Sequence, residues 1–243
     1  MKVVAIIPAK SDSKRLPRKN LLPMLGKPLP VWAIEAAKRS TRINRVIVST
    51  QDGEIAQMAR DAGAEVPYME PAEISAEGGD IEGLLLYAVE LLKKNENYIP
   101  DAVVLLQTTN PLRLPTHLDE AIAQFGKSGA DSTIAVCEAL GNHNPHWMLL
   151  EDPKHGARLF TGDNLKDIPR RSDHLPSYYF RNDIVYVIKT SNLYQSPCNL
   201  YGDKVDLYKM DEIYDTDINT PEDWKVTQEK LRRLLATNAT STQ

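Results

Sequence analysis

Apolar runs of strand length alternate along the first part of the chain with longer segments of helical period. Four runs predict strands at residues 3–7, 45–49, 102–106 and 132–136, and two more follow at residues 184–188 and 205–210. The first run is almost entirely apolar, as expected of a strand buried on both faces. This alternation predicts an α/β fold with a mostly parallel, twisted sheet and helices on both of its faces.

Three other segments carry helix signals. Residues 30–38 begin with a proline suited to a first helical turn and continue with strong helix formers. One apolar stripe at helical spacing marks the next helix, and core packing accounts for it; its members are Ile81, Leu84, Leu85, Ala88, Val89 and Leu92. A last helix is predicted to begin at Pro221, where Thr220 can cap the first turn and Asp223 can return a hydrogen bond.

Residues 139–180 interrupt this rhythm of strands and helices. The stretch combines mixed charges and four prolines with the aromatic residues Trp147, Tyr178, Tyr179 and Phe180. Aromatic side chains need a core or an interface to bury them, so the stretch is predicted to be an insertion rather than a linker. We therefore expect a single domain over residues 1–243 with an insertion at about residues 139–180.

Composition narrows the class of protein. The 29 basic and 33 acidic residues give a net charge of −4, which argues against broad nucleic-acid binding. The two cysteines, Cys137 and Cys198, form no C-x-x-C motif, so neither a disulfide framework nor a thiolate zinc site is predicted. No apolar run is long enough for a membrane span, and the N-terminal run is too short for a signal peptide. We expect a cytoplasmic protein without a membrane partner.

A cluster of cations follows directly behind the first predicted strand. The segment PAKSDSKRLPRKN carries Lys10, Lys14, Arg15, Arg18 and Lys19. Ligands of open α/β sheets bind beyond the carboxyl ends of the strands, so this position favours an anionic ligand. The glycine patterns of the common phosphate loops are absent, which leaves the lysine and arginine side chains as the donors for a polyphosphate. The alternative is an exposed turn whose charges are only solvated.

These residues carry a resemblance to a known family. The segment resembles the N-terminal signature of the CMP-sialic acid synthetases, usually written P-A-R-x-x-S-K-x-[ILV]-P-x-K-N, with Lys10 in the place of the usual arginine. Further matches occur in the same order as in that family, and together they span about residues 2–226; they are GKPLP, RVIVST, GEIA, AEVPYMEPAEIS, LLQTTNPLR and DINTPEDW. The resemblance implies a nucleotide-diphospho-sugar transferase-like fold.

The same resemblance implies an activity. Members of that family transfer CMP from CTP to a 2-keto-3-deoxy sugar acid, such as sialic, legionaminic or pseudaminic acid, and release pyrophosphate. It also implies Mg²⁺ as a cofactor and a homodimer in which the insertion reaches the neighbouring sugar pocket. Two alternatives stay open from the residues: activation of 3-deoxy-manno-octulosonate or use of another nucleotide, and a catalytically silent nucleotide-sugar binding protein.

Site residues follow from the matched motifs. The resemblance implies that the triphosphate is held by Lys10, Ser13, Lys14 and Lys19, with Lys10 and Lys19 offsetting charge as the bond breaks. Asn20 would bind the ribose or a phosphate. Gln107, Asn110 and Arg181 are the candidates for the sugar, although Arg181 stands one place away from the arginine that some members carry.

The resemblance, rather than the spacing of the residues, implies a metal site just before the last helix, at Asp217 and Asn219. Asp217 and Asn219 lie two apart on a predicted extended segment, so their side chains can face the same side and share one ion. Asn219 stands where the family carries a second aspartate, and an amide oxygen remains a neutral ligand for Mg²⁺. The alternative is that this segment only turns the chain and caps the last helix.

Overall fold

The structure is a computed structural model that describes residues 1–11, 13, 15–75, 80–154, 156–168 and 175–240. The strands are β1 (Val3–Pro8), β2 (Pro23–Met24), β3 (Lys27–Pro28), β4 (Arg45–Ser49), β5 (Ala102–Leu105), β6 (Ser132–Glu138), β7 (Leu149–Asp152), β8 (Gly156–Leu159), β9 (Tyr179–Lys189) and β10 (Val205–Met210). The α-helices are α1 (Leu29–Arg39), α2 (Gly53–Asp61), α3 (Ala72–Ser75), α4 (Ile81–Glu96), α5 (Pro115–Ser128) and α6 (Pro221–Thr240).

Six strands form the central sheet in the order β10-β6-β9-β5-β1-β4. Strands β4, β1 and β5 run parallel to one another, as do β10 and β6. Strand β9 lies antiparallel to both of its neighbours, β5 and β6. The predicted mostly parallel sheet is confirmed, and all six predicted strands belong to it.

Both faces of the sheet are covered. In β1, Val3, Ala5 and Ile7 pack into one apolar cluster with α1, α2, α5 and α6, whereas Val4 and Ile6 pack into a second cluster with α4. Alternate side chains of a strand point to opposite faces, so burial on both sides requires apolar residues throughout. This is why the strand has no polar alternation in the sequence.

Strand β9 is longer than its predicted core of residues 184–188. It begins at Tyr179 and includes the polar residues Arg181, Asn182 and Asp183. The register against β6 is irregular: Tyr186 pairs with Ile134 but Arg181 pairs with Val136, so residues 182–185 form a bulge. Pairing with β6 extends the strand past the point where its apolar run ends.

The region between β6 and β9 projects from this sheet. Among its described residues, β7 and β8 form an antiparallel hairpin, and short 3₁₀ turns cover residues 141–143, 145–147 and 165–167. Leu149 on β7 is 59% exposed and Phe160 is 61% exposed. Within the described part of the chain, none of the helices combines the length and apolar character needed to cross a membrane.

Candidate active site

A cavity of about 300 Å³ opens at the carboxyl ends of the parallel strands β1 and β5. Three segments line it: the loop after β1, the beginning of α4 and the segment after β5. The loop contributes Lys10, Ser13, Lys19 and Asn20, helix α4 contributes Asp80, Ile81 and Leu84, and the third segment contributes Gln107, Thr108 and Thr109. Five of the residues singled out from the sequence therefore meet at one cavity, at the sheet edge where α/β proteins bind ligands; they are Lys10, Ser13, Lys19, Asn20 and Gln107.

Asn20 closes the loop that carries these cations. Its Nδ2 donates a hydrogen bond to the carbonyl of Lys10 at 2.7 Å, and its Oδ1 accepts one from the Thr108 hydroxyl at 2.7 Å. Asn20 is 4% exposed, so both bonds are shielded from water. Its amide holds the two ends of the loop together and fixes them to the segment after β5.

Lys19 connects the loop to the C-terminal part of the chain. Its Nζ donates to the carbonyl of Ile218 at 2.8 Å, and the amide of Ile218 donates to the carbonyl of Thr109 at 3.1 Å. Burial lowers the pKa of Lys19, and the Asp217 carboxylate opposes that change because it favours the ammonium form. A partly desolvated ammonium group in the cavity wall is suited to neutralise the charge of a bound phosphate.

The predicted metal residues flank Ile218. Asp217 is exposed, and Asn219 donates its side-chain N–H to the Asp217 carboxylate at 2.5 Å. The backbone amides of Asn219 and Thr220 donate to Asp223, while the Thr220 hydroxyl accepts from the Asp223 amide. Asp217 and Asn219 thus share a side, as their spacing predicts, and the cap of α6 at Thr220 and Asp223 lies next to them.

The remaining cations of the loop have other surroundings. Arg18 forms an ion pair with Glu54 at the start of α2, and it adopts a left-handed backbone conformation with φ of 54°. Arg15 is exposed and lies near enough to Lys19 to lower the pKa of that lysine. Lys14 lies outside the described residues. Of the described cations, Lys10 and Lys19 are those that line the cavity.

Gln107 reaches the cavity from a segment that a buried arginine supports. Arg113 is 4% exposed, and its guanidinium donates to the carbonyls of Gln107, Asp183 and Ile184 at 2.8, 3.2 and 2.9 Å. Burial lowers the pKa of Arg113 to about 9, against the attraction of Asp183. Arg113 is therefore a scaffold residue that acts through carbonyl oxygens.

Asn110 and Arg181 lie apart from the residues that line the cavity. Asn110 is fully buried, and its Nδ2 donates to the carbonyls of Asn182 and Tyr214 at 2.5 and 2.9 Å. These bonds engage its amide within the protein, which favours a structural role over the expected contact with sugar. Arg181 is exposed on β9 and donates to the Tyr201 hydroxyl at 2.7 Å.

Sequence reasoning missed Asp80 and Thr108 in the cavity wall. Asp80 caps α4 by accepting from the Gly83 amide at 2.9 Å, and its position just before the apolar stripe of that helix was a usable signal. Thr108 lines the same cavity and donates its hydroxyl to Asn20, a partner 88 residues away in the chain, so no local pattern could reveal this hydrogen bond.

A family model described as cytidylyltransferase matches residues 4–243. The chain belongs to the cytidylyltransferase family. It is 29% identical over 237 residues to a CMP-N,N'-diacetyllegionaminic acid synthase of Legionella pneumophila, with 96% of this chain and 97% of the relative covered. It is 32% identical over 233 residues to N-acylneuraminate cytidylyltransferase A of Danio rerio, with 95% of this chain but 51% of that relative covered.

A third relative is the pseudaminic acid cytidylyltransferase of Campylobacter jejuni, 35% identical over 138 residues, with 57% of this chain and 59% of the relative covered. The matches thus cover 97% of the Legionella relative, 51% of the Danio relative and 59% of the Campylobacter relative.

Two solved structures show the same fold. One is a CMP:2-keto-3-deoxy-manno-octonic acid synthetase complexed with CTP, with a TM-score of 0.69, 19% identity, and 98% of this chain and 100% of that chain covered. The other is 4-diphosphocytidyl-2C-methyl-D-erythritol synthase from Anaerococcus prevotii, with a TM-score of 0.66, 12% identity, and 95% and 96% coverage. The expected nucleotidyltransferase fold is confirmed.

Proposed function

We propose that this protein transfers CMP from CTP to a 2-keto-3-deoxy sugar acid of the nonulosonic class. The hydroxyl oxygen at the keto carbon of the cyclised sugar attacks the α-phosphorus, the bond from that phosphorus to the β-phosphate oxygen breaks, and pyrophosphate leaves; the hydroxyl proton passes to solvent. The observation that carries this proposal is the placement of Lys10 and Lys19 on one cavity at the ends of β1 and β5. Family membership and the names of the relatives support it.

Catalysis of this kind depends on positioning and counter-charge, since no covalent protein intermediate is required. Asn20 fixes the backbone at the two ends of the loop that carries Lys10 and Lys19, so both cations are held at the cavity before the phosphates bind. Ser13 lines the same cavity and offers a hydroxyl donor. Gln107, which lines the same cavity from the segment after β5, is proposed to hydrogen-bond the sugar.

Mg²⁺ is proposed to bind between Asp217, Asn219 and the phosphates. Among the described residues, no group of three or more His, Cys, Asp or Glu side chains is placed to hold a metal. Mg²⁺ commonly binds one or two carboxylates together with substrate phosphates and water, which fits one carboxylate and one amide on a shared side. When bound there, Mg²⁺ would neutralise phosphate charge.

The metal assignment is tested with Asp217→Asn. The variant removes the one carboxylate of the proposed metal site. The Mg²⁺ concentration needed for half-maximal activity should therefore rise about 10-fold or more, while the melting temperature stays close to that of the unchanged protein. An unaltered Mg²⁺ titration would dismiss this assignment.

A homodimer formed through the insertion is also proposed. Large apolar side chains are exposed in the described part of this region; they are Leu140, Met148, Leu149, Leu150, Phe160, Leu165 and Ile168. An exposed apolar surface of this kind marks an interface, and a second copy of the chain is the partner that the family resemblance implies. Trp147 and Tyr178 lie in the same region, partly buried.

A cytoplasmic location remains part of the proposal. Cys137 and Cys198 are both free thiols, as a reducing compartment favours. A fluorescent fusion expressed in the native host would show the location directly.

The activity is tested by pyrophosphate release with CTP, Mg²⁺ and one sugar acid at a time. The panel contains sialic, legionaminic and pseudaminic acids together with 3-deoxy-manno-octulosonate, and ATP, GTP and UTP replace CTP in parallel reactions. Turnover with CTP and one nonulosonic acid supports the proposal. Turnover confined to the octulosonate, or CTP binding without turnover of any sugar, would overturn it in favour of the two alternatives respectively.

A further inference from the structure

Asp183 combines a rare backbone conformation with a position beside the candidate active site. Its φ is 57°, in the left-handed region, and it lies in the bulge of β9 formed by residues 182–185. Non-glycine residues avoid this region at a cost of about 1 kcal/mol or more, and aspartate tolerates it better than most. Among the described strand residues, Asp183 alone has positive φ without being glycine.

Several buried side chains force this conformation. Arg113 donates to the carbonyls of Asp183 and Ile184, and Asn110 donates to the carbonyl of Asn182. The Asn182 side chain in turn accepts from the Ile184 amide at 3.2 Å. Bulges next to active sites commonly redirect one side chain, and in this bulge the carbonyls of Asn182, Asp183 and Ile184 all accept hydrogen bonds from buried side chains.

The bulge lies next to the cavity. The same guanidinium nitrogen of Arg113 donates to the carbonyls of Gln107 and Asp183, so these two backbone positions are neighbours. Gln107 lines the cavity. Tyr186, whose hydroxyl donates to the Asp183 carboxylate, packs in the same apolar cluster as Leu84, another residue of the cavity wall.

Asp183 is partly exposed, and its neighbours include polar groups such as the Tyr186 hydroxyl. Burial and the Asp183 carboxylate raise the pKa of Tyr186, so that phenol keeps its proton and acts as a donor. Tyr186, Tyr201 and Asp183 raise the pKa of Arg181, the exposed cation two residues away. A carboxylate has about four acceptor positions, and the Tyr186 hydroxyl uses one of them.

We propose that Asp183 is a specificity residue for the sugar acid, and that its carboxylate accepts a hydrogen bond from a hydroxyl or N–H group of that sugar. This inference rests on the proposed function. A second carboxylate would be repelled, so the donor group must lie away from the acid group of the sugar. The preferred substrates are therefore sugar acids that present a donor on that side.

The experiment pairs Asp183→Gly with substrate analogues. Glycine accepts the left-handed conformation, and this gain offsets the lost hydrogen bond from the Tyr186 hydroxyl, so the variant should still fold while losing the acceptor. For the best sugar of the panel, kcat/KM should fall about 10- to 100-fold with the KM for CTP unchanged. Deoxyfluoro and N-methylated analogues of that sugar, each lacking one donor, are then measured with both proteins.

One analogue should lower kcat/KM of the unchanged protein by the same factor and show no further loss with Asp183→Gly, because both changes remove the same hydrogen bond. Asp61→Asn, at the far end of α2, is the matched control and should change neither constant. Equal losses for every analogue, or an altered KM for CTP, would overturn the Asp183 assignment and leave the proposed function intact. Failure of the unchanged protein to use any sugar would instead refute the proposed function, and this inference with it.

Discussion

Asn20 lies in the wall of the cavity, yet both ends of its side-chain amide are bonded within the protein. Its expected role was a direct hydrogen bond to the ribose or a phosphate. The structure favours a positioning role, since releasing either bond would leave a buried polar group without its partner at a cost of about 1–3 kcal/mol. The residue that shapes the loop is thus distinct from the cations that the loop presents.

Lys19→Ala tests the cation most deeply set in the site. The variant removes the ammonium group beside the cavity, and kcat with CTP should fall about 100- to 1000-fold, the range typical of a lost electrostatic donor in a transition state. The melting temperature should change little, because the described side-chain hydrogen bond that the variant removes is the single one from Lys19 Nζ to the Ile218 carbonyl. Steady-state kinetics and thermal unfolding measure the two quantities.

Lys94→Ala provides the comparison for this prediction. Lys94 is exposed in the last turn of α4, whereas the first turn of that helix lines the cavity, so its loss removes the same charge from the other end of the helix. Equal kinetic effects of the two variants would show that net charge, rather than local neutralisation, controls activity.

Single residues differ in how far the sequence reveals them. Lys10 and Lys19 were found because clustered charge behind a buried strand is a local pattern that also fixes its place at the sheet edge. The hydrogen bonds of Asn110 could not be predicted in the same way, because its partners are carbonyls 72 and 104 residues further along the chain. A side chain bonded to distant backbone leaves no signal at its own position.

At the scale of elements, the predicted strands were most accurate where burial is continuous. The bounds of β4 and β10 agree with the prediction, and β1 extends it by one residue, to Pro8. Strand β9 departs most, because pairing with β6 and the support of Arg113 hold its polar first half. Strand β9, which carries Asp183, is therefore the strand whose bounds the hydrophobic pattern predicts least accurately.

Helix α5 gives the molecule a pH-sensitive contact. His117 is 6% exposed, its Nδ1 accepts from the Leu114 amide at 3.1 Å, and its ring packs edge-on against Tyr214. Burial lowers the pKa of His117 from 6.5 to about 4, with Glu120 opposing the shift. The folded state therefore contains His117 in its neutral form. Between pH 6.5 and about pH 4, the unfolded chain binds more protons at this residue than the folded protein does.

Stability should consequently fall as the pH decreases from 6.5 towards 4, by up to about 3 kcal/mol from this residue, and should be independent of it above 6.5. Urea unfolding at intervals between pH 7.5 and 4.5 measures this dependence. His117→Gln keeps a polar side chain without titrating, so the slope should decrease in that variant. An identical slope in both proteins would mean that carboxylates alone set the acid sensitivity.

At the scale of the whole molecule, charge and apolar surface are separated. The net charge is −4, while Lys10 and Lys19 of the first loop both line the cavity at one edge of the sheet. The exposed apolar side chains of the insertion lie on a different part of the chain, after β6. The cationic cavity is suited to a phosphate, and the exposed apolar side chains are suited to the proposed contact with a second copy of the chain.

The apolar surface of the insertion predicts how the dimer can be broken. Leu149→Ser and Phe160→Ser each remove a large exposed apolar group from that surface, and each should weaken association about 10- to 100-fold, as loss of a buried apolar anchor does. Sedimentation velocity over a range of concentrations should show a shift towards monomer. If the insertion also closes the neighbouring sugar pocket, the KM for the sugar should rise while the KM for CTP stays constant. The matched control is Leu235→Ser, on helix α6, where the side chain is 41% exposed; this variant should leave the proposed dimer intact. Equal dissociation of all three variants would refute an interface at the insertion. A monomer of the unchanged protein at every concentration would refute it as well.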